Sequence, residues 1–308
     1  MNISLHCITE DGRTVQLSRC LQFTFVRERY QPFAALHIRM FVDCPDDQPV
    51  AVRFFLGSML LHEGIPQKAV YTYEQNQWIL QVSSRSYTAA LTKNQLVPGI
   101  YSDLTLQQIM ETYQLPQIVY DNSMQAINYI YVKDNAAMWD TVIAYNYKLC
   151  KGYPYIRVPN MLCMMPQTGT DTIALPMHAV LKMTEGSECS EMFSRIDMAN
   201  ATGEYGSFSM TNPEAVRRGI VRVRQMLLDR QYLFDPDSAL SFRIAVGNRK
   251  LLSKSVTYAG YCFEDIEDLV QVGELFTARV SRITVSGNAK GIVTTDTFYF
   301  DPFCNVSA

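Results

Sequence analysis

Residues 129–166 read YIYVKDNAAMWDTVIAYNYKLCKGYPYIRVPNMLCMMP, and this stretch decides the reading of the fold. Ile127–Val132 is β-rich and predicts a strand. Asp134 or Asn135 is placed to cap a helix over 136–150. Met138, Trp139, Val142, Ile143 and Leu149 recur at helical spacing and form one apolar stripe. Lys148 and Lys151 lie at the C-terminal end, where cations are favoured, and Gly152 supplies a left-handed terminator. Tyr155–Val158 and Met161–Met165 then flank Pro159-Asn160, a turn signal, so they predict a hairpin. Upstream, Leu106, Ile109, Met110 and Tyr113 share one helical face over 104–113. Ser102 or Asp103 is the candidate cap and Pro116 the stop. Residues 99–166 therefore predict a compact module of order αβαββ.

Outward from this module the texture is strand-like. On the N-terminal side the strands are expected at Leu21–Val26, Phe33–Val42, Val50–Leu56, Met59–His62 and Trp78–Val82. Gly57-Ser58 forms a hairpin turn and Gly64 ends the fourth run. Thr88–Leu96 predicts one or two helical turns. On the C-terminal side, strands are expected at Ala179–Met183, Leu240–Val246, Val256–Tyr261, Leu275–Val285 and Ile292–Phe300. Residues 186–210, rich in Gly, Ser, Glu and Asn, read as a mobile loop. A helix over 213–231 is expected from Asn212 as cap and Pro213 at the first position, with Val216, Ile220, Val223 and Leu227 as its buried stripe. Asp47–Val52 and Val272–Thr277 echo one another as a polar turn entering an apolar strand. The expected fold is α+β and mainly β. Two small β-barrel domains, 1–98 and 167–308, bracket the α+β module 99–166.

Composition excludes more than it names. The 308 residues are 48% hydrophobic and 19% charged with a net charge of −3, which is globular and carries no global basic field. No run of 18 apolar residues predicts a membrane helix. Met1–Glu10 lacks a basic region followed by an apolar core. Eight cysteines without a CxxC pair suggest buried thiols in a chain made in the cytoplasm. Four scattered histidines give no metal-ligand spacing, and neither a metal nor a cofactor is expected. No GxSxG, SxxK, HExxH, Walker or GxGxxG pattern occurs, so catalytic residues are not expected either. His62-Glu63 reads as a charged strand end, and Trp139 with Met161–Met165 as packing.

Two charged clusters remain. Glu264–Asp268 (EDIED) is the best acid–base or metal candidate. It supports an alternative reading, a carbohydrate-active hydrolase on a β-rich scaffold with carboxylates on opposed cleft walls. Against this, a run on one loop is ordinarily a solvated turn. Arg217, Arg218, Arg222 and Arg224, with Arg230, cover more than one face of the expected helix. No aromatic ladder for nucleic acid is interleaved with them. They are the candidate subunit or partner contacts. A monomeric adhesion module is a further rival, expected to lack a large apolar surface.

Three stretches resemble the tail-hub (baseplate hub) proteins of phages and phage-derived contractile particles, in particular the prophage type of Gram-positive bacteria. They are DQPVAVRFFLGSMLLHEG (47–64), LTLQQIMETYQLP (104–116) with the 129–166 stretch, and VQVGELFTARVSRITVSGNAKGIVTTDTFY (270–299). The resemblance implies a non-enzymatic homotrimer in which each chain contributes two related barrels to a pseudo-sixfold ring. That ring would join a sixfold tail tube to a threefold central spike, beside other baseplate proteins. DNA would pass only as cargo through the lumen. The protein would be assembled in the bacterial cytoplasm and reside in a virion tail or phage-like particle.

Overall fold

Alternation of buried and exposed side chains builds the first third of the molecule. A computed structural model of the chain describes residues 2–121, 125–165 and 172–303. Strands β1 (Ile3–Ile8), β2 (Thr14–Leu17), β3 (Cys20–Glu28), β4 (Ala35–Val42), β5 (Ala51–Leu56), β6 (Met59–Glu74) and β7 (Gln77–Ser86) pair antiparallel throughout. Phe23 and Phe25 of β3, Leu36, Ile38 and Met40 of β4, and Val52, Phe54 and Leu56 of β5 are buried, two residues apart along each strand. The expected Gly57-Ser58 turn joins β5 to β6, with Gly57 at φ 64°. Gly64 does not end the strand, which runs on to Glu74. A Cβ at Gly64 would lie 2.0 Å from the Arg85 carbonyl oxygen. The missing side chain is what lets β6 pass so close to β7 and continue.

A 3-10 helix over Tyr87–Thr92 leads to the α+β segment. It comprises β8 (Gly99–Tyr101), α1 (Leu106–Glu111), β9 (Val119–Tyr120), β10 (Ile130–Val132), α2 (Met138–Cys150), β11 (Tyr155–Arg157) and β12 (Met161–Cys163). Thr105, rather than Ser102 or Asp103, caps α1 in a reciprocal box: its Oγ1 accepts from Gln108 N at 3.1 Å, and Thr105 N donates to Gln108 Oε1 at 2.8 Å. At α2, Ala137 N donates to Asp140 Oδ2 at 2.9 Å, a role expected of Asp134 or Asn135. The left-handed terminator is Lys151, at φ 56°, not Gly152. The expected hairpin forms as β11 against β12, with a cis Val158–Pro159 bond between them. Leu106, Ile109, Met110, Met138, Trp139 and Val142 share one core with Leu162 and Met164.

The C-terminal part departs furthest from the sequence pattern. It contains β13 (Ile173–Leu175), β14 (Val180–Gly186), β15 (Arg195–Met198), β16 (Phe208–Thr211), α3 (Pro213–Arg217), β17 (Val223–Met226), α4 (Pro236–Asn248), β18 (Ser253–Ala259), β19 (Leu269–Val272), β20 (Phe276–Arg279), β21 (Arg282–Asn288) and β22 (Gly291–Tyr299). The 186–210 segment is not one loop but carries β15 and leads into β16. The helix expected over 213–231 stops at Arg217. Gly219 turns the chain at φ 69°, and β17 then pairs parallel with β15. The strand expected at Leu240–Val246 is instead the middle of α4. Its start signals, Asp235 accepting from Ser238 N at 3.2 Å and Pro236 at the first turn, override the β-branched composition. The single run Leu275–Val285 is split at Val280-Ser281 into β20 and β21.

Eleven strands form one sheet in the order β14-β18-β22-β21-β3-β4-β7-β6-β5-β1-β2. The join between the two ends of the chain is β21 against β3, from Arg282 opposite Glu28 to Asn288 opposite Gln22. Each would otherwise be an exposed edge, so the pairing removes two edges at once. β14 and β2 remain as the free edges, and no closed barrel forms among the described strands. One core serves both ends, with Leu5, Phe23 and Phe54 packed in the same cluster as Val256, Val285 and Phe298. The two echo segments enter different sheets: Ala51 opens β5 in the large sheet, while Phe276 opens β20 in the sheet β13-β19-β20. The expected domain boundary at 166/167 falls outside the described residues.

Candidate assembly surface

The acidic run is the first place where the sequence reading is corrected. Glu264, Asp265, Glu267 and Asp268 are all buried. A buried carboxylate needs a cation or donors, and the chain supplies arginines from three regions. Arg27 of β3 pairs with Asp265 Oδ1 and donates to the Leu61 carbonyl at 3.3 Å. Arg29, just past the end of β3, pairs with Glu267 and donates to the Phe303 carbonyl at 3.0 Å. Arg157 of β11 reaches Asp268 Oδ1 at 2.8 Å and Asp265 Oδ2 at 3.5 Å, while Val158 N donates to Asp265 Oδ2 at 2.8 Å. Arg279 of β20 donates to the Glu267 carbonyl at 2.8 Å.

Three of these acids are therefore held by arginines inside the protein and are not presented on opposed cleft walls, as a glycoside hydrolase requires. Their effect is positional: one loop seats the α+β segment on strands from both ends of the chain. Sequence reasoning missed the arginine side of this network. The available signal was Arg27-Glu28-Arg29, three consecutive charges directly following the apolar run Phe23–Val26. His62 was misread as well. It is fully buried, its Nε2 lies 2.9 Å from Ser84 Oγ, and burial followed by the nearby Arg27 pushes it down to about 3.

The four candidate arginines do different things. Arg217 pairs with Glu214 on the surface. Arg218 is exposed at the end of α3. Arg222 is exposed as well, but its Nη1 donates to the carbonyls of Cys189 at 2.7 Å and Ser190 at 2.8 Å, so it fastens its own chain. Arg224, on β17, lies 5.3 Å from the Phe193 ring centroid and is otherwise exposed.

Around them three of the four residues of the expected buried stripe are exposed, while Ile220 packs against Met192, Ala215 and Leu251. Because the helix ends at Arg217, Val216, Val223 and Leu227 do not share a buried face. Leu227 is 76% exposed, Val221 88% and Phe234 80%. A groove of about 500 Å³ next to them is lined by Ile100, Tyr129, Leu227, Leu228 and Leu233, with Arg230 at its side. β17 is also an edge of the sheet β16-β15-β17. Exposed apolar side chains, free strand edge and arginines thus occupy one region, a combination characteristic of interaction surfaces.

Lys148 was expected to serve the end of α2. Burial moves it down to about 8, and its Nζ donates to the Tyr129 carbonyl at 2.6 Å behind the groove. The seven described cysteines are free thiols, and burial raises Cys7 to about 12 and Cys163 to about 11. Cys304 lies outside the described residues. Among the described residues, no three His, Cys, Asp or Glu side chains group as a metal site. Nor is any helix there long and apolar enough to cross a membrane.

No protein-family model and no curated protein matches the chain. Solved structures do. The tail protein from Neisseria meningitidis MC58 superposes with a TM-score of 0.75 over 99% of this chain and 98% of its own, at 10% identity. The 43 kDa tail protein of prophage MuSo2 from Shewanella oneidensis gives 0.69 over 97% of each chain, at 14% identity. An E. coli component of the type VI secretion system, described as similar to phage T4 tail proteins, gives 0.57 over 92% of this chain and 76% of its own, at 12% identity. From end to end, this chain has the fold of phage and prophage tail proteins.

Proposed function

We propose that the protein is a structural tail component, a baseplate hub whose homotrimer forms a pseudo-sixfold ring between the tail tube and the central spike of a phage or phage-like contractile particle. The observation that carries this reading is coverage. The Shewanella and Neisseria tail proteins are matched over 97% or more of both chains, so the likeness extends over the whole fold. The Gram-positive prophage type suggested by the sequence has a counterpart in the prophage tail protein gp18 from Listeria monocytogenes, with a TM-score of 0.56 and 9% identity. In this reading the N- and C-terminal strand groups act as two related, barrel-like ring units, with the α+β module 99–166 between them. The surface bearing Arg217, Arg218, Arg224, Leu227 and Phe234 faces a neighbouring subunit or tail protein. Contacts of a closed ring are heterologous, so one chain's patch meets a different patch on the next. DNA, in a phage, passes through the lumen as cargo.

The test is reconstitution with the tube and spike proteins of the same particle, followed by light scattering and cryo-EM. The expected result is three copies seated between tube and spike. Location on the outside of the particle, or in a copy number incompatible with threefold symmetry, would overturn the proposal.

A further inference from the structure

Glu264 stands apart from the other acids of its loop. Its carboxyl meets that of Asp296, on β22, and both residues are 1% exposed. Neither forms an ion pair with any described Lys, Arg or His. Glu264 Oε2 and Asp296 Oδ1 have no donor among the described residues. The groups facing them from the packed elements are Tyr258 of β18, whose hydroxyl donates to Glu264 Oε1 at 2.6 Å, and Cys262 of the same loop; the Tyr261 hydroxyl is spent on the Glu264 carbonyl at 2.7 Å. The nearest charged neighbour along the loop network, Arg27, is engaged with Asp265. Two touching buried carboxylates with no cation cannot both stay ionised.

We propose that Glu264 and Asp296 share one proton, which locks the 260–268 loop to β22 and so holds in place the loop that seats the α+β segment through Arg27, Arg29 and Arg157. The proton bridges one carboxyl oxygen to the other, so the pair carries a single negative charge that the Tyr258 hydroxyl stabilises. Burial raises both groups above the usual carboxylate range. The folded chain then keeps a proton that the unfolded chain releases. This contribution to stability is full below the ordinary carboxylate range and is lost as pH rises through the folded pair's own ionisation.

Glu264→Gln and Asp296→Asn replace the shared proton with permanent amide donors. Their thermal midpoints, minus that of the unsubstituted protein, should increase from pH 5 upward, toward a tenfold relative change in the folding equilibrium per pH unit until the folded pair itself ionises. A difference that stays constant with pH overturns the proposal, as does a midpoint that responds to chelator or added divalent cation, which would put a metal ion between the carboxyls. If the variants do not fold, infrared spectroscopy of the unsubstituted protein at pH 7 decides. A protonated-carboxyl carbonyl band must be present, and its absence overturns the proposal.

Discussion

At the scale of single residues, the molecule is unusual for how much charge it hides. Arg27, Arg29, Glu264 and Glu267 are each about as buried as the core leucines. Removing one member of a buried pair leaves the other uncompensated in low dielectric, at a cost of about 3–5 kcal/mol. Asp265→Asn strips Arg27 of its carboxylate and weakens the seat of Val158. It should lower stability by roughly that amount in urea unfolding, and amide exchange should accelerate selectively over 155–163.

His62 makes an opposite statement about pH. Ser84 Oγ donates to the Ile65 carbonyl at 3.1 Å, so the His62 Nε2–H is the donor to Ser84 and the ring is neutral. Its folded value of about 3 lies below the ordinary 6.5. The unfolded chain therefore binds the extra proton, and stability present above pH 6.5 is lost as pH falls towards 3. His62→Asn should flatten this acid limb, which is worth on the order of 4 kcal/mol across the window, in denaturation midpoints followed between pH 4 and 7.

At the scale of elements, the boundaries are decided by a few backbone positions. Gly64→Ala pushes a Cβ into the Arg85 carbonyl, a backbone group that has no rotamer to yield. Such overpacking costs about 1–3 kcal/mol, and the loss should appear as lowered thermal stability together with weakened amide protection in both β6 and β7. The segment after α3 shows the same logic in reverse. Gly219 releases the chain from the helix, and from β-branched Val223 onward it runs as an extended strand on β15. Three Arg side chains of the expected helix are thereby separated in role: Arg222 fastens the 189–192 turn, while Arg218 and Arg224 stay outside.

At the scale of the whole molecule, the 217–234 region is the surface to disrupt. Arg218→Glu with Arg224→Glu, and separately Leu227→Asp with Phe234→Ser, should each leave the thermal midpoint within about 2 °C. Surface substitutions away from structural features change stability by no more than ~0.5 kcal/mol. Both pairs should abolish co-assembly with the tube or spike, read by sedimentation of the mixture. Arg222→Glu behaves differently: it breaks internal bonds and should lower stability as well. Retained co-assembly in both double variants would remove this surface from the proposed ring contacts.

The sequence by itself determined the mainly β character, the α+β segment and its hairpin, and the Gly57 turn. Each is written in local periodicity and turn chemistry, which act over a few residues: Met138 through Val142 can only bury one face of a helix, and Gly57-Ser58 can only turn. The tertiary structure alone decided three further things. Glu264–Asp268 became an interior ion network because Arg27, Arg29, Arg157 and Arg279 arrive from distant parts of the chain. Strands from the two ends merged into one open sheet because β21 and β3 each lacked a neighbour. Val216, Val223 and Leu227 turned outward because β15 offered a free edge for pairing. All three rest on contacts between residues far apart in sequence, and no local pattern records who the partner will be.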